Sequence, residues 1–94
     1  METLIALLKQ IDALEMKDCY ARLLNNNKDA VIKELADQIA SLADTLLIGP
    51  KGECIWDQHA LVKEAGYSIF PGERDSFGWL TGCIQTKKGI IMYG

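Results

Sequence analysis

Residues 28–52 read KDAVIKELADQIASLADTLLIGPKG, and the change of composition at Gly49 within this stretch decides the fold. Residues 1–48 contain no glycine or proline, whereas all eight glycines and both prolines lie from residue 49 onward. Before Gly49 the apolar residues recur every three or four positions, which is typical of an amphipathic helix. After Gly49, short apolar runs alternate with turn residues, which is typical of strands. The first half is therefore predicted to be helical and the second half to be rich in β-structure.

The helical half is predicted to form a hairpin of two antiparallel helices. The second helix is expected from about residue 28 to residue 46, and its apolar stripe comprises Val31, Ile32, Leu35, Ile39, Leu42 and Leu46. The first helix begins near Thr3 and either continues to Leu24 with a rotated stripe, which is favoured, or ends near Met16. Three asparagines at 25–27 separate the helices, because asparagine both closes a helix and caps the next one. A short connection between two amphipathic helices favours antiparallel packing.

The second half is predicted to contain one short helix and a small sheet. Residues 49–52 form a turn, and the short runs on either side of it can pair across it. Asp57 is expected to cap a helix over residues 58–65, which Gly66 closes. Three further strands are expected, at residues 67–70, at residues 77–86 with Leu80 and Ile84 facing inward, and at residues 90–93, with a turn at residues 87–89. The predicted fold class is α+β: a single domain over residues 1–94 in which the helices cover a small antiparallel sheet of three to four strands.

Composition and charge restrict the function classes. The chain carries a net charge of −3, and the first half has eight acidic residues against five basic ones. Such a surface lacks the basic footprint of a nucleic-acid-binding protein, so nucleic-acid binding is not expected. The apolar N-terminal run is interrupted by Lys9 and Asp12, so neither an export signal nor a membrane span is predicted. Three widely spaced cysteines are typical of reduced thiols, and the predicted location is the cytoplasm.

Neither catalytic nor metal chemistry is expected from the sequence. Cys54 and the only histidine, His59, could form a nucleophile and its base, but no third orienting group or oxyanion turn is recognisable. Cys19, Cys54, His59 and Cys83 supply four zinc ligands in number, yet no closely spaced pair is present among them. We therefore predict no catalytic residues, no metal and no cofactor.

The segment from Phe70 to Trp79 is the most unusual in composition, with three charged residues, two glycines and three aromatics. Arg74 between aromatic edges could bind a carboxylate, a phosphate or a planar ligand. Alternatively, the glycines shape a turn while the aromatics pack in the core. The candidate residues for a ligand or partner site are Trp56, Tyr67, Glu73, Arg74, Asp75 and Trp79.

The leading prediction is a non-enzymatic binding module that acts by protein–protein contact and self-associates. A chain of this length buries a modest core, and a partner subunit can cover what remains exposed. The predicted homodimer interface lies in residues 1–46 and includes Leu4, Leu8, Ile11, Tyr20 and Leu24. The small size and the lack of catalytic motifs suit an accessory or inhibitor protein of the kind that phages and mobile elements encode. The alternative is a binder of small ligands or nucleotides that uses the Arg74 loop and its neighbouring aromatics.

Overall fold

The structure, a computed structural model, describes residues 2–15, 23–70 and 82–93. These residues form three α-helices, α1 (Glu2–Ala13), α2 (Ala30–Leu46) and α3 (Trp56–Glu64), and a single 3-10 turn at Leu24–Asn26. Three strands follow: β1 (Ser68–Phe70), β2 (Gly82–Gln85) and β3 (Ile90–Tyr93). The fold is therefore α+β, as the sequence predicts.

Helix α2 is capped at its first turn and buries one narrow stripe. The Asp29 side chain accepts a hydrogen bond of 3.0 Å from the Val31 N–H, so the helix begins at Ala30, two residues later than predicted. The helix ends at Leu46, and the Leu47 N–H bonds to the Ala43 carbonyl. The buried residues of α2 follow steps of four, three and four along one face: Ile32, Ala36, Ile39 and Ala43. Two alanines in this stripe let the helix approach its neighbours closely.

Helix α1 runs antiparallel to α2, which agrees with the predicted hairpin. Leu14, just beyond the end of α1, lies beside Val31 at the start of α2. Thr3 at the start of α1 lies beside Leu42 near the end of α2. The favoured prediction of one continuous helix to Leu24 is wrong, because α1 ends at Ala13 and Leu24 lies in the 3-10 turn.

The sheet has the order β1-β2-β3, and both pairs of strands are antiparallel. Ile69, Ile84 and Ile91 are directly opposite one another across the three strands, and all three are buried. This row forms the inner face of the sheet and packs on the helices, so the predicted inward position of Ile84 is confirmed. Strand β2 is described from Gly82 onward, and the predicted positions 77–81, including Leu80, lie outside the described residues.

The outer edge of β3 is covered by the segment that follows the first helix. Leu23 forms a parallel bridge with Ile90. The Asn25 side chain then accepts a hydrogen bond of 2.9 Å from the Met92 N–H and donates one of 3.0 Å to the Met92 carbonyl. The amide of Asn25 thus pairs with Met92 as a neighbouring strand would, which protects an otherwise open sheet edge.

The connection from α2 to α3 is a tight turn. The Gly49 N–H bonds to the Glu53 carbonyl at 2.8 Å, and Ile48 forms an antiparallel bridge with Cys54, so the predicted pairing across this turn is present. Helix α3 begins at Trp56 rather than at Gln58, with Asp57 inside its first turn and not at the cap. Gly66 follows the helix with a φ of +100°, the left-handed conformation in which glycine closes helices.

Candidate functional site

The structure describes two of the six residues predicted to bind a ligand or partner. Trp56 begins α3 and is 63% exposed, whereas Tyr67 is buried between α3 and β1. Tyr67 lines a polar cleft that does not include Trp56. The other four, Glu73, Arg74, Asp75 and Trp79, lie outside the described residues, so the ligand-binding hypothesis stays a prediction.

The residues predicted for the homodimer interface require a correction. Leu4, Leu8 and Ile11 are completely buried on α1, and Leu24 is completely buried in the 3-10 turn. These side chains belong to the core of one chain, because the stripe that they form on α1 faces inward. A second chain therefore has no access to them in this fold, and Tyr20 lies outside the described residues. The homodimer itself stays a prediction, and its interface would need other residues.

The outer surface of the helical hairpin carries two shallow depressions that lie end to end. One has a volume of about 460 Å³ and the other about 530 Å³, and Glu34 and Gln38 line both. We call the continuous surface the helical groove. From α1 and the residue that follows it, the groove is lined by Thr3, Leu7, Gln10, Ala13 and Leu14; from α2, by Val31, Glu34, Leu35, Asp37, Gln38, Ser41 and Leu42.

The floor of the helical groove is apolar and its margins are polar. Four leucines pack with one side against the core and leave the rest of their surface open: Leu7, Leu14, Leu35 and Leu42. Val31, at one end of the groove, is 63% exposed. Amides and hydroxyls at the margins can donate and accept hydrogen bonds. An apolar floor with a polar margin is the usual chemistry of a surface that binds another protein.

The charged side chains described at the helical groove are acidic. Among the described residues, its charged lining residues are Glu34 and Asp37, and Asp37 pairs with Lys33 at 2.9 Å on α2. Residues 2–15 and 28–46 contain seven acidic residues and three lysines. Glu34, which has no ion-pair partner among the described residues, therefore gives the groove an uncompensated negative charge, and such a charge favours a positively charged partner.

A third depression, separate from the helical groove and of about 460 Å³, is polar and lies where α1 meets the sheet. Asp12 accepts a hydrogen bond of 3.0 Å from the Lys87 N–H in the β2–β3 turn, and the Tyr67 hydroxyl also bonds to it. Burial raises the pKa of Tyr67 to about 12, and the hydrogen bond with Asp12 and the charge of Asp12 add to that rise. Because the carboxylate already has two protein partners, Asp12 serves to fasten α1 to the sheet.

His59 lies where α3 meets the end of α2. It is buried, and its Nε2–H donates a hydrogen bond of 3.2 Å to the Leu47 carbonyl at the end of α2. Nδ1 has no hydrogen-bond partner within the described residues, so neither ring nitrogen bonds to Cys54. The Trp56 ring lies 5.3 Å from the His59 ring, at an angle of 56°, and covers it. His59 thus links α3 to α2.

In residues 2–15, 23–70 and 82–93, no three potential metal ligands lie together, and Cys54 and Cys83 are free thiols. In the same part of the chain, no helix has both the length and the apolar character needed to cross a membrane.

The sequence analysis does not predict the helical groove, because each helix carries two sets of apolar residues and the pattern alone does not show which set is exposed. Leu7 and Leu14 are seven residues apart on or just beyond α1, and Leu35 and Leu42 have the same spacing on α2. A spacing of seven returns to the same side of a helix, so each pair marks a second stripe beside the buried one. That repeat was the available signal for the groove.

Comparison of this chain with protein-family models, with curated proteins and with solved structures found no match.

Proposed function

We propose that this chain is a non-enzymatic binding module that acts by protein–protein contact, and that the helical groove makes the contact. The observation that carries the proposal is the continuity of the two depressions. They share Glu34 and Gln38 and extend from the beginning of α1 to just beyond its end. At a rise of 1.5 Å per residue, the distance from Thr3 to Leu14 is roughly 16 Å, or about three helical turns.

The chemistry of the groove supports contact with a protein rather than with a small molecule. Both depressions are open and shallow, and their partly exposed leucines offer extended apolar area and few convergent polar groups. Small-molecule sites are concave and enclose most of their ligand, whereas helix-binding grooves present rows of apolar contacts. A cytoplasmic accessory or inhibitor protein would act through such a surface, and self-association is one form that the contact can take.

Site-specific photo-crosslinking tests the proposal in cells that contain the native partners. A photoreactive phenylalanine analogue replaces Val31 in the groove, and in a matched protein it replaces Leu61, an apolar residue on α3 that is 43% exposed. We expect discrete protein adducts from position 31 and few from position 61. Mass spectrometry of the adducts distinguishes a second copy of this chain from a different protein.

A variant of the groove distinguishes adducts that require binding from adducts with proteins that are merely nearby. With the photoreactive group at Gln38, the added substitution Val31→Glu should remove the adducts, because it introduces a charge into the apolar floor. Adducts that form equally at positions 31 and 61, or that survive Val31→Glu, would rule out the groove as the contact surface.

A further inference from the structure

We infer that the occupant of the helical groove is an amphipathic helix of a partner protein with lysine or arginine beside its apolar stripe. This inference rests on the proposed function and names the chemistry of the partner. It uses three observations: the shape of the groove, the spacing of its apolar residues and the sign of its charge.

The shape and spacing favour a helix. The leucines stand in two rows with a repeat of seven residues, and Leu14 lies opposite Leu35 while Leu7 lies opposite Leu42. Apolar residues at positions i, i+3, i+4 and i+7 of a third helix would lie between these rows, as in helix-in-groove recognition. Such a helix needs about three turns to follow the groove from end to end.

The negative charge at the groove favours basic side chains beside the apolar stripe of the partner helix. Glu34 is exposed at the junction of the two depressions and has no ion-pair partner among the described residues. A lysine or arginine on the incoming helix can approach Glu34 from the solvent side without being buried. An acidic helix, by contrast, would meet both Glu34 and the excess of carboxylates on the hairpin.

The same charge disfavours a second copy of this chain. In a symmetric dimer, the two hairpins would face each other, each with seven carboxylates against three lysines in residues 2–15 and 28–46. Like charges across an interface are destabilising, and Glu34 of each copy would lie near the centre of the contact. A basic partner removes this repulsion.

Two synthetic peptides of about 18 residues, long enough to form a helix, test the inference. Both carry leucine at helix-repeat positions; one has lysine at the flanking positions and the other has glutamate. Fluorescence anisotropy of labelled peptides measures binding to the full chain at low and at physiological salt. We expect the lysine peptide to bind on the order of tenfold more tightly than the glutamate peptide, and salt to weaken its binding.

Reversing the charge of Glu34 tests whether the preference for the lysine peptide arises at the groove. Glu34→Lys should abolish the preference for the lysine peptide, whereas Glu64→Lys, an equivalent change at an exposed position on α3, should preserve it. Circular dichroism confirms that both variants are folded.

Equal binding of the two peptides, or a preference that survives Glu34→Lys, would overturn the basic helix as the occupant. If neither peptide binds while position 31 still forms protein adducts in cells, this inference fails and the proposed function stands. If position 31 forms no specific adducts either, both fail.

Discussion

Gly82 leaves no room for a side chain, because the ring of Tyr93 lies against it. The two residues are directly opposite on β2 and β3, and a Cβ atom at Gly82 would lie 2.6 Å from the Cζ atom of the Tyr93 ring. Because Tyr93 is buried, its ring cannot swing away into solvent. Gly82→Ala is therefore expected to lower the free energy of unfolding by ~1–3 kcal/mol through overpacking.

The ring of Tyr93 can be tested as the cause by a double-mutant cycle. In a Tyr93→Leu background, Gly82→Ala should be less destabilising, since the shorter side chain leaves room for the methyl group. Denaturant unfolding of the four proteins gives the coupling energy. Equal losses in both backgrounds would mean that the ring does not restrict position 82.

Two buried tyrosines are expected to reduce stability at alkaline pH. Burial raises the pKa of Tyr93 to about 12, with further contributions from the charges of Cys54, Cys83 and Asp44, and the pKa of Tyr67 also rises to about 12. The unfolded chain releases these protons near the ordinary pKa of 10.0. The stabilisation by neutral tyrosines is therefore complete below pH 10 and is lost as the pH rises toward 12.

A titration of Tyr67 measures how much Asp12 raises the pKa of its hydroxyl, apart from the effect of burial. With Tyr20 and Tyr93 replaced by phenylalanine, the ultraviolet absorbance of tyrosinate reports Tyr67 alone. Asp12→Asn should lower the pKa of Tyr67, because it removes the negative charge and weakens the hydrogen bond. Glu15→Gln, a change of the same charge at an exposed position, is the control, and an equal effect of both would contradict the role of Asp12.

At the scale of elements, the edge of β3 depends on one asparagine. Asn25→Ala removes both hydrogen bonds to the main chain of Met92 and is expected to lower the free energy of unfolding by about 1–3 kcal/mol. Amide hydrogen exchange at Met92 should accelerate in the same variant. Asn26→Ala, one residue further along the 3-10 turn and exposed, should leave both measurements nearly unchanged. Unchanged exchange in Asn25→Ala would mean that another group protects this edge.

The elements that the sequence predicts well are those whose signals are local. The three- and four-residue spacing of α2, the glycine after α3 and the apolar run of β3 depend on nearby residues alone, and these elements are present at the expected places. The favoured prediction carried the first helix past its end at Ala13, because apolar residues resume at helical spacing, on a rotated stripe, as far as Leu24; the alternative end near Met16 was closer to the structure. The bond from Asn25 to Met92 spans 67 residues, and local patterns contain no information on it.

At the scale of the whole molecule, the main error of the sequence-based prediction concerns which face of α1 remains exposed. The sequence contains two apolar sets on α1, and its pattern alone predicts the larger set for a dimer interface. Burial of Leu4, Leu8 and Ile11 leaves Leu7 to line the helical groove, one position away along the chain. One residue corresponds to a rotation of about 100° around the helix, so the choice depends on how α1 sits on the core.

The oligomeric state tests the charge argument for the molecule as a whole. Two copies that met through their hairpins would bring two negatively charged layers together, so the isolated chain is expected to sediment as a monomer at low ionic strength. Analytical ultracentrifugation over a range of salt and protein concentrations makes the measurement. A dimer at low salt that Val31→Glu dissociates, while the matched change Leu61→Glu on α3 does not, would identify a second copy as the occupant of the groove. A dimer that appears only at high salt would instead mean that charge repulsion, and not a lack of apolar contact, keeps the free chains apart.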